Sequence, residues 1–208
     1  MFTLTRITDP GKLEVYFRFR YRIYSESRLK GYVAGADGQD KDRFDERAHH
    51  YGWYLNGKLA GCVRFIEADG SATPIPMLNY VASEAADAVR AYIAERRSLG
   101  QPMLEASRFC LVPEHRGFRT ARAFVLAMVR TMAPQGFRHG VFDCDDAHVP
   151  FYRLCGFEPL AGAVRFRKAI NERAWTCLTY DYDRIARKQG WDQPSPGFKR
   201  PCGVQMAA

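Results

Sequence analysis

The stretch MLEASRFCLVPEHRG, Met103 to Gly117, sets two charged side chains, Glu105 and Arg108, in an otherwise apolar run. Charged groups are seldom buried unless they are paired or used. From Pro102 to Val112 the run reads as a strand. Side chains alternate across a strand, so Glu105, Ser107 and Phe109 share one face, and Leu104, Ala106, Arg108 and Cys110 the other. A bulge between Glu105 and Arg108 would change that count. Considered alone, the pair is either an ion pair that fastens the strand or part of a reaction site.

Toward the N-terminus, LEVYFRFRYRIYSE (Leu13 to Glu26) carries Leu13, Phe17, Tyr21 and Tyr24 at helical spacing. The Gly- and Asp-rich KGYVAGADGQDKDRFDE reads as a long loop. HYGWYLNGKLAGCVRFIEADG reads as two strands around an Asn-Gly turn, the strongest short hairpin signal. TPIPMLNYV is a proline-bearing connector, and ASEAADAVRAYIAERRSLG is a helix that stops at Gly100. Toward the C-terminus, TARAFVLAMVRTMAPQG is an amphipathic helix with Phe124, Val125, Met128 and Met132 inward. RHGVFDCD is a strand, HVPFYRLCG a short helix ending at a glycine, and FEPLAGAVRFRKA and AWTCLTYDY closing strands. From Lys188 the composition turns polar and proline-bearing, so a single domain over 1–187 and a loose tail over 188–208 are expected. No internal repeat is present. The order argues for an α/β (α+β) fold with a mixed, mostly antiparallel sheet flanked by helices.

A chain of 208 residues with 47% hydrophobic and 26% charged residues suits one globular domain with a sizeable core. No apolar run approaches the roughly 18 residues of a membrane span, and the first residues lack a secretory signal pattern. The cytoplasm is the default expectation. Of the cysteines Cys62, Cys110, Cys144, Cys155, Cys177 and Cys202, none forms a C-x-x-C pair and four sit in apolar segments. They read as buried reduced thiols, and no metal site is expected. The net charge of +8 fits a solvated basic surface, a docking face for an acidic partner, or nucleic-acid binding. No helix-turn-helix, zinc-finger or aromatic-basic RNA motif accompanies the charge, which disfavours nucleic acid.

Four local signals stand out. Arg20 and Tyr24 lie in RYRIY of the first helix. Asp42 and Asp45 lie three apart in DRFDE and would share one side of a helical turn. Arg64 sits in the apolar strand GCVRFIEA, where a charge wants a partner. The fourth is the pair Glu105 and Arg108.

Together these residues resemble the acyl-homoserine lactone synthases and the related N-acyl amino acid synthases, on the GNAT-like acyltransferase fold. The resemblance spans about Leu13 to Phe157. It rests on Arg20 with an aromatic four residues on, the aspartates three apart, the strand arginine, and EASRF from Glu105 to Phe109. Tyr24 stands where the lactone synthases have Phe, Tyr32 is the nearest aromatic to their tryptophan, and Arg64 lacks their following Leu-Pro-Thr. AHVPFYRLCGFEPL looks more like the N-acyl amino acid synthases and GNAT enzymes generally.

The resemblance implies a GNAT-like three-layer sandwich and an N-acyltransferase. Such an enzyme moves a fatty acyl group to the amine of S-adenosylmethionine, giving a lactone, or of an amino acid, giving an N-acyl amino acid. It implies Glu105 as general base through water and Tyr152 as proton donor to the leaving thiol. Arg20, Tyr24, Tyr32, Asp42, Asp45, Arg64, Ser107 and Arg108 would bind or orient the acceptor, and Arg20 would bind its carboxylate or close the charged network. Phe124, Met128, Phe142 and Phe151 would line an acyl channel. In EHRGFRTARAF, Arg119 replaces the central glycine of the usual GNAT pyrophosphate turn, and a side chain there hinders close backbone approach. That favours a phosphopantetheine arm on acyl carrier protein, docked on Arg116, Arg119 and Arg122, with acyl-CoA left open as donor and no tightly bound cofactor. A CoA-dependent GNAT acetyltransferase and a non-catalytic basic binding module are the alternatives.

Overall fold

The Asn56-Gly57 turn has φ of 49° and 75° at its two central residues, the left-handed geometry that matches the twist of a tight hairpin. It joins β2 (His49–Leu55) to β3 (Lys58–Glu67). The computed structural model describes residues 1–33, 35, 37–68, 74–163, 165–167 and 173–191.

Upstream lie β1 (Phe2–Ile7) and α1 (Pro10–Ser25). Helix α1 begins where the Asp9 carboxylate accepts from the Lys12 N–H at 2.9 Å, with Pro10 in the first turn. Downstream follow α2 (Ser83–Ser98), β4 (Met103–Leu111), α3 (Phe118–Met132), β5 (His139–Asp145) and α4 (Val149–Cys155). The chain closes with β6 (Glu158–Pro159), β7 (Phe166–Arg167), β8 (Ala174–Asp181) and α5 (Tyr182–Gln189). The sheet runs β1-β2-β3-β4-β5-β8-β6, with β7 also on β8. Every pairing is antiparallel except β4 with β5. The expected mixed, mostly antiparallel sheet flanked by helices is the observed one.

Two layers of helices cover the sheet. On one face, Tyr16 and Phe17 of α1 meet the His50 ring edge-on at 5.0 and 5.4 Å. On the same face, Val89 and Ile93 of α2 share a buried cluster with Met103, Val141 and Cys177. On the other face, Phe124 of α3 stacks on Trp53 at 4.9 Å. There Val125 and Val129 pack with Phe142, Leu178 and residues of α4 and α5. The five described cysteines are free and buried, as expected of reduced thiols. Among the described residues no helix is long and apolar enough to cross a membrane.

Three elements differ from the sequence reading. β1 is an edge strand with only Ile7 buried, so no apolar run advertises it. The closing strands before β8 shrink to two residues each. Helix α5 continues past Lys188, where the tail was expected to begin. Lys188 Nζ donates to the Arg153 carbonyl at 2.7 Å, and Trp191 packs on Tyr182 and Arg130. The rest of that tail, 192–208, lies outside the described residues.

The parallel pairing of β4 and β5 depends on Gly140. A Cβ there would lie 2.0 Å from Tyr180 Cε1 and 2.7 Å from the Leu104 carbonyl oxygen. Gly140→Ala is expected to lower stability by about 1–3 kcal/mol, read as a shift in the urea unfolding midpoint.

Candidate active site

The site begins with an extra residue in β4. Cys62 faces Cys110 and Arg64 faces Ser107, so two steps on β3 match three on β4. The surplus falls at Arg108, whose φ is 53°, a left-handed value rare for a residue with a Cβ. This bulge overturns the simple alternation. Ser107 and Arg108 both turn toward the α1 face, where Ser107 Oγ accepts from Arg64 Nε at 3.1 Å. Phe109 is sent to the opposite face, against Phe124 at 4.8 Å.

There Arg108 meets a buried lattice of charge. Arg20, from α1, donates from Nε to Asp40 at 2.8 Å and from Nη1 to Asp45 at 2.7 Å. Arg64 Nη1 lies 2.7 Å from Asp42 and 3.1 Å from Asp45. Arg108 Nε lies 2.9 Å from Asp40, and its Nη2 3.3 Å from Asp42. Three guanidinium groups thus face three carboxylates, each carboxylate shared between two arginines. The side chains of Arg20, Asp40 and Asp45 are sealed from solvent, while those of Asp42 and Arg108 keep 20% and 10% exposure. The lattice therefore opens to solvent along the Asp42–Arg108 edge.

The loop is held as tightly as the charges. The Asp40 N–H donates to the Phe17 carbonyl at 3.1 Å. Asp45 Oδ2 accepts from the Asp42 N–H at 2.8 Å, and Asp42 Oδ1 from the Phe44 N–H at 2.9 Å. Burial alone would raise the Asp45 pKa. Arg20 and Arg64 overcome it and hold the carboxyl well below the usual range. Burial pushes the His50 pKa down, and its Nε2 lies 3.0 Å from the Asp45 carbonyl oxygen, which a neutral ring satisfies with its N–H.

Glu105 stands outside the lattice. It is 1% exposed, and its Oε2 accepts from the Met77 N–H at 3.0 Å. Its Oε1 has no hydrogen-bond partner among the described residues. Burial pushes its pKa up to about 8. It is also the last residue of β4 paired with β5, through Val141. Beyond that pair the two strands carry no mutual pairing, so Glu105 lies at the root of a fork in the sheet.

The other expected site residues are distributed around this core. Tyr24 is buried on α1, its ring 5.8 Å from the Arg108 guanidinium carbon. The Tyr32 side chain lies outside the described part of the structure. Of the two roles expected for Arg20, its geometry suits closing the network, since it has both carboxylate partners in place and no exposure. Tyr152 packs on Phe142, Phe151 and Phe157 at 4.8–5.6 Å. Phe124 and Met128 belong to one buried cluster, and Phe142 and Phe151 to another. Arg116 and Arg119 are exposed before and at the start of α3, whereas Arg122 is half-buried and donates to Gln189 of α5. Gly117, the N-cap of α3, has φ of −62°, and a Cβ added there would meet nothing within 4 Å. Sequence reasoning missed three residues here. Asp40 is one of several loop acids, and Tyr80 and Asp143, hydrogen-bonded at 3.0 Å beside Glu105, have no motif.

The acetyltransferase (GNAT) domain family matches residues 19–126. Among solved structures the chain resembles FeeM, an N-acyl amino acid synthase from uncultured soil microbes, at 16% identity and a TM-score of 0.65, over 90% of this chain and 94% of that one. It resembles BjaI, a CoA-dependent acyl-homoserine lactone synthase, at 18% identity and a TM-score of 0.67, over 91% and 90%. It resembles the lactone synthase LasI at 15% identity and a TM-score of 0.66, over 90% and 93%. At these identities the likeness is one of fold. No curated protein matches in sequence.

Removing one member of a buried ion network strands its partners. Arg20→Met is expected to cost about 3–5 kcal/mol at pH 7, read by urea unfolding. The Asp45 share of that stability is complete above about pH 4, the ordinary aspartate value, and drains as pH falls toward its depressed folded value. The gap between wild type and Arg20→Met should therefore narrow below about pH 4.

Proposed function

The chain belongs to the GNAT acetyltransferase family, and from that premise we propose that it moves a fatty acyl group from a thioester to the amine of a small α-amino acid metabolite. S-adenosylmethionine, giving an acyl-homoserine lactone, and a free amino acid, giving an N-acyl amino acid, both carry that group. The observation behind this reading is the juxtaposition of the Arg20–Arg64–Arg108 lattice with the buried Glu105 at the sheet fork. A charged lattice open along one edge suits an acceptor with both an amine and a carboxylate, and Arg108 is the arginine nearest solvent there.

In the proposed reaction Glu105, in its ionised form, takes a proton from the amine, directly or through a water. The nitrogen attacks the thioester carbonyl, the C–N bond forms and the C–S bond breaks. Backbone N–H groups of the bulged strand would hold the oxyanion. Burial holds the Tyr152 hydroxyl well above its ordinary pKa, so it stays protonated and able to donate to the leaving sulfur. Asp42, Asp45, Arg64 and Ser107 fix the floor on which the acceptor rests.

Acyl carrier protein is the proposed donor, docking its acidic surface on Arg116 and Arg119. Acyl-CoA is the second reading. It is favoured by the open space above Gly117 at the α3 N-terminus, where backbone N–H groups could face a phosphate, and BjaI of the same fold is CoA-dependent. Thiol release assayed with acyl carrier protein and with acyl-CoA, each over a panel of amines, separates the two. Release with neither donor removes the reading.

Because only ionised Glu105 accepts a proton, kcat/KM should rise about tenfold per pH unit up to about pH 8 and level off above it. Glu105→Gln keeps an acceptor for the Met77 N–H and should lower kcat by about 10²–10⁴. A variant with unchanged thiol release would remove Glu105 as base.

A further inference from the structure

The short 3₁₀ turn Pro76–Asn79 and the residue after it hold two carboxyl groups at once. The Met77 N–H donates to Glu105 Oε2 at 3.0 Å, and the Tyr80 hydroxyl donates to Asp143 Oδ1 at 3.0 Å. Glu105 closes the paired part of β4, and Asp143 lies two residues beyond its partner Val141 on β5. The two acids thus stand on the two arms of the fork, tied by one turn. Glu105 Oε1 is shielded from solvent and has no hydrogen-bond partner among the described residues, so it is set to receive a proton or a donor not drawn from those residues. Glu105 faces the guanidinium groups of Arg64 and Arg108, the Met77 N–H and the Asp143 carboxyl, while Tyr80 lies within the field of both acids.

Amide formation needs a proton acceptor. Acylation of a protonated amine removes two protons from nitrogen. One ends on the thiol sulfur, and the other must leave through a base. We propose that Asp143, held by the Tyr80 hydroxyl, is a positioning residue that shares a proton with Glu105, so that the carboxyl pair receives the proton amide formation discards. This rests on the acyl-transfer reading given above. The pairing gives two buried acids on neighbouring strands one role: the Asp143 charge opposes ionisation of Glu105, and one proton relieves both. Burial raises Glu105 to about 8 and Asp143 to about 7, with the Asp143 charge pushing Glu105 the same way.

Carboxyl ¹³C titration of the unliganded protein tests the coupling without any substrate. Asp143→Asn is expected to move the Glu105 midpoint to lower pH by about one unit, because a like charge is gone. Tyr80→Phe, which keeps both acids, should raise the Asp143 midpoint and reshape the Glu105 curve. In the thiol-release assay the acidic limb of kcat/KM should shift with Asp143→Asn in the same direction as the Glu105 midpoint. A Glu105 titration unmoved in either folded variant overturns the proposal. Coupled titration with no thiol release from any donor would keep the shared proton and remove the acyl-transfer reading, so the two failures are distinguishable.

Discussion

Three arginines and three aspartates, almost wholly withdrawn from water, cannot be left partly assembled. Each buried guanidinium or carboxylate would cost several kcal/mol if its partner were absent. The lattice ties together α1, the loop at 40–45, β3 and the bulge in β4, and it forms only when all four are in place. Its merit is not net stability, since an apolar replacement of equal volume could do as well. It fixes one arrangement: Arg64 and Arg108 lie where they do because Asp42 bridges them, and Asp42 lies where it does because Asp45 holds its backbone.

The bulge is what lets β4 serve both faces. A left-handed backbone at a residue with a side chain costs of order 1–3 kcal/mol, and here the contacts of Arg108 with Asp40 and Asp42 offset it. One inserted residue brings two polar side chains to the lattice and still delivers Phe109 to the aromatic stack under α3. Glu105 precedes the insertion, so it keeps its regular strand position. With the six lattice charges balanced among themselves, no arginine is committed to Glu105, and burial can keep its proton.

Much of this was legible in the residues. Arg20, Asp42, Asp45, Arg64, Ser107 and Arg108 converge as the family likeness of their spacing implies, and the Asn-Gly turn fixes the hairpin. Asp40 was not, because a loop containing Asp37, Asp40, Asp42 and Asp45 has no period to single one out, and the choice is made by the Phe17 carbonyl. The faces of Arg108 and Phe109 were not, because strand alternation counts residues and a bulge is set by what the partner strand offers. Helix α5 escaped notice because only Ile185 and Ala186 of it are buried, too few to mark a periodic stripe. Tyr80 and Asp143 come from a connector and a strand with no motif between them, and only the fork makes them neighbours.

Gly117 behaves in the opposite way to the lattice. Its φ suits any amino acid and the space above it is empty, so substitutions there cost the fold little. The six lattice residues are locked to one another, and changing one usefully requires changing others. Selection therefore meets two very different landscapes in one small protein. The turn at the head of α3 can change in single steps without disturbing the fold, while the charged lattice can change only by coordinated ones.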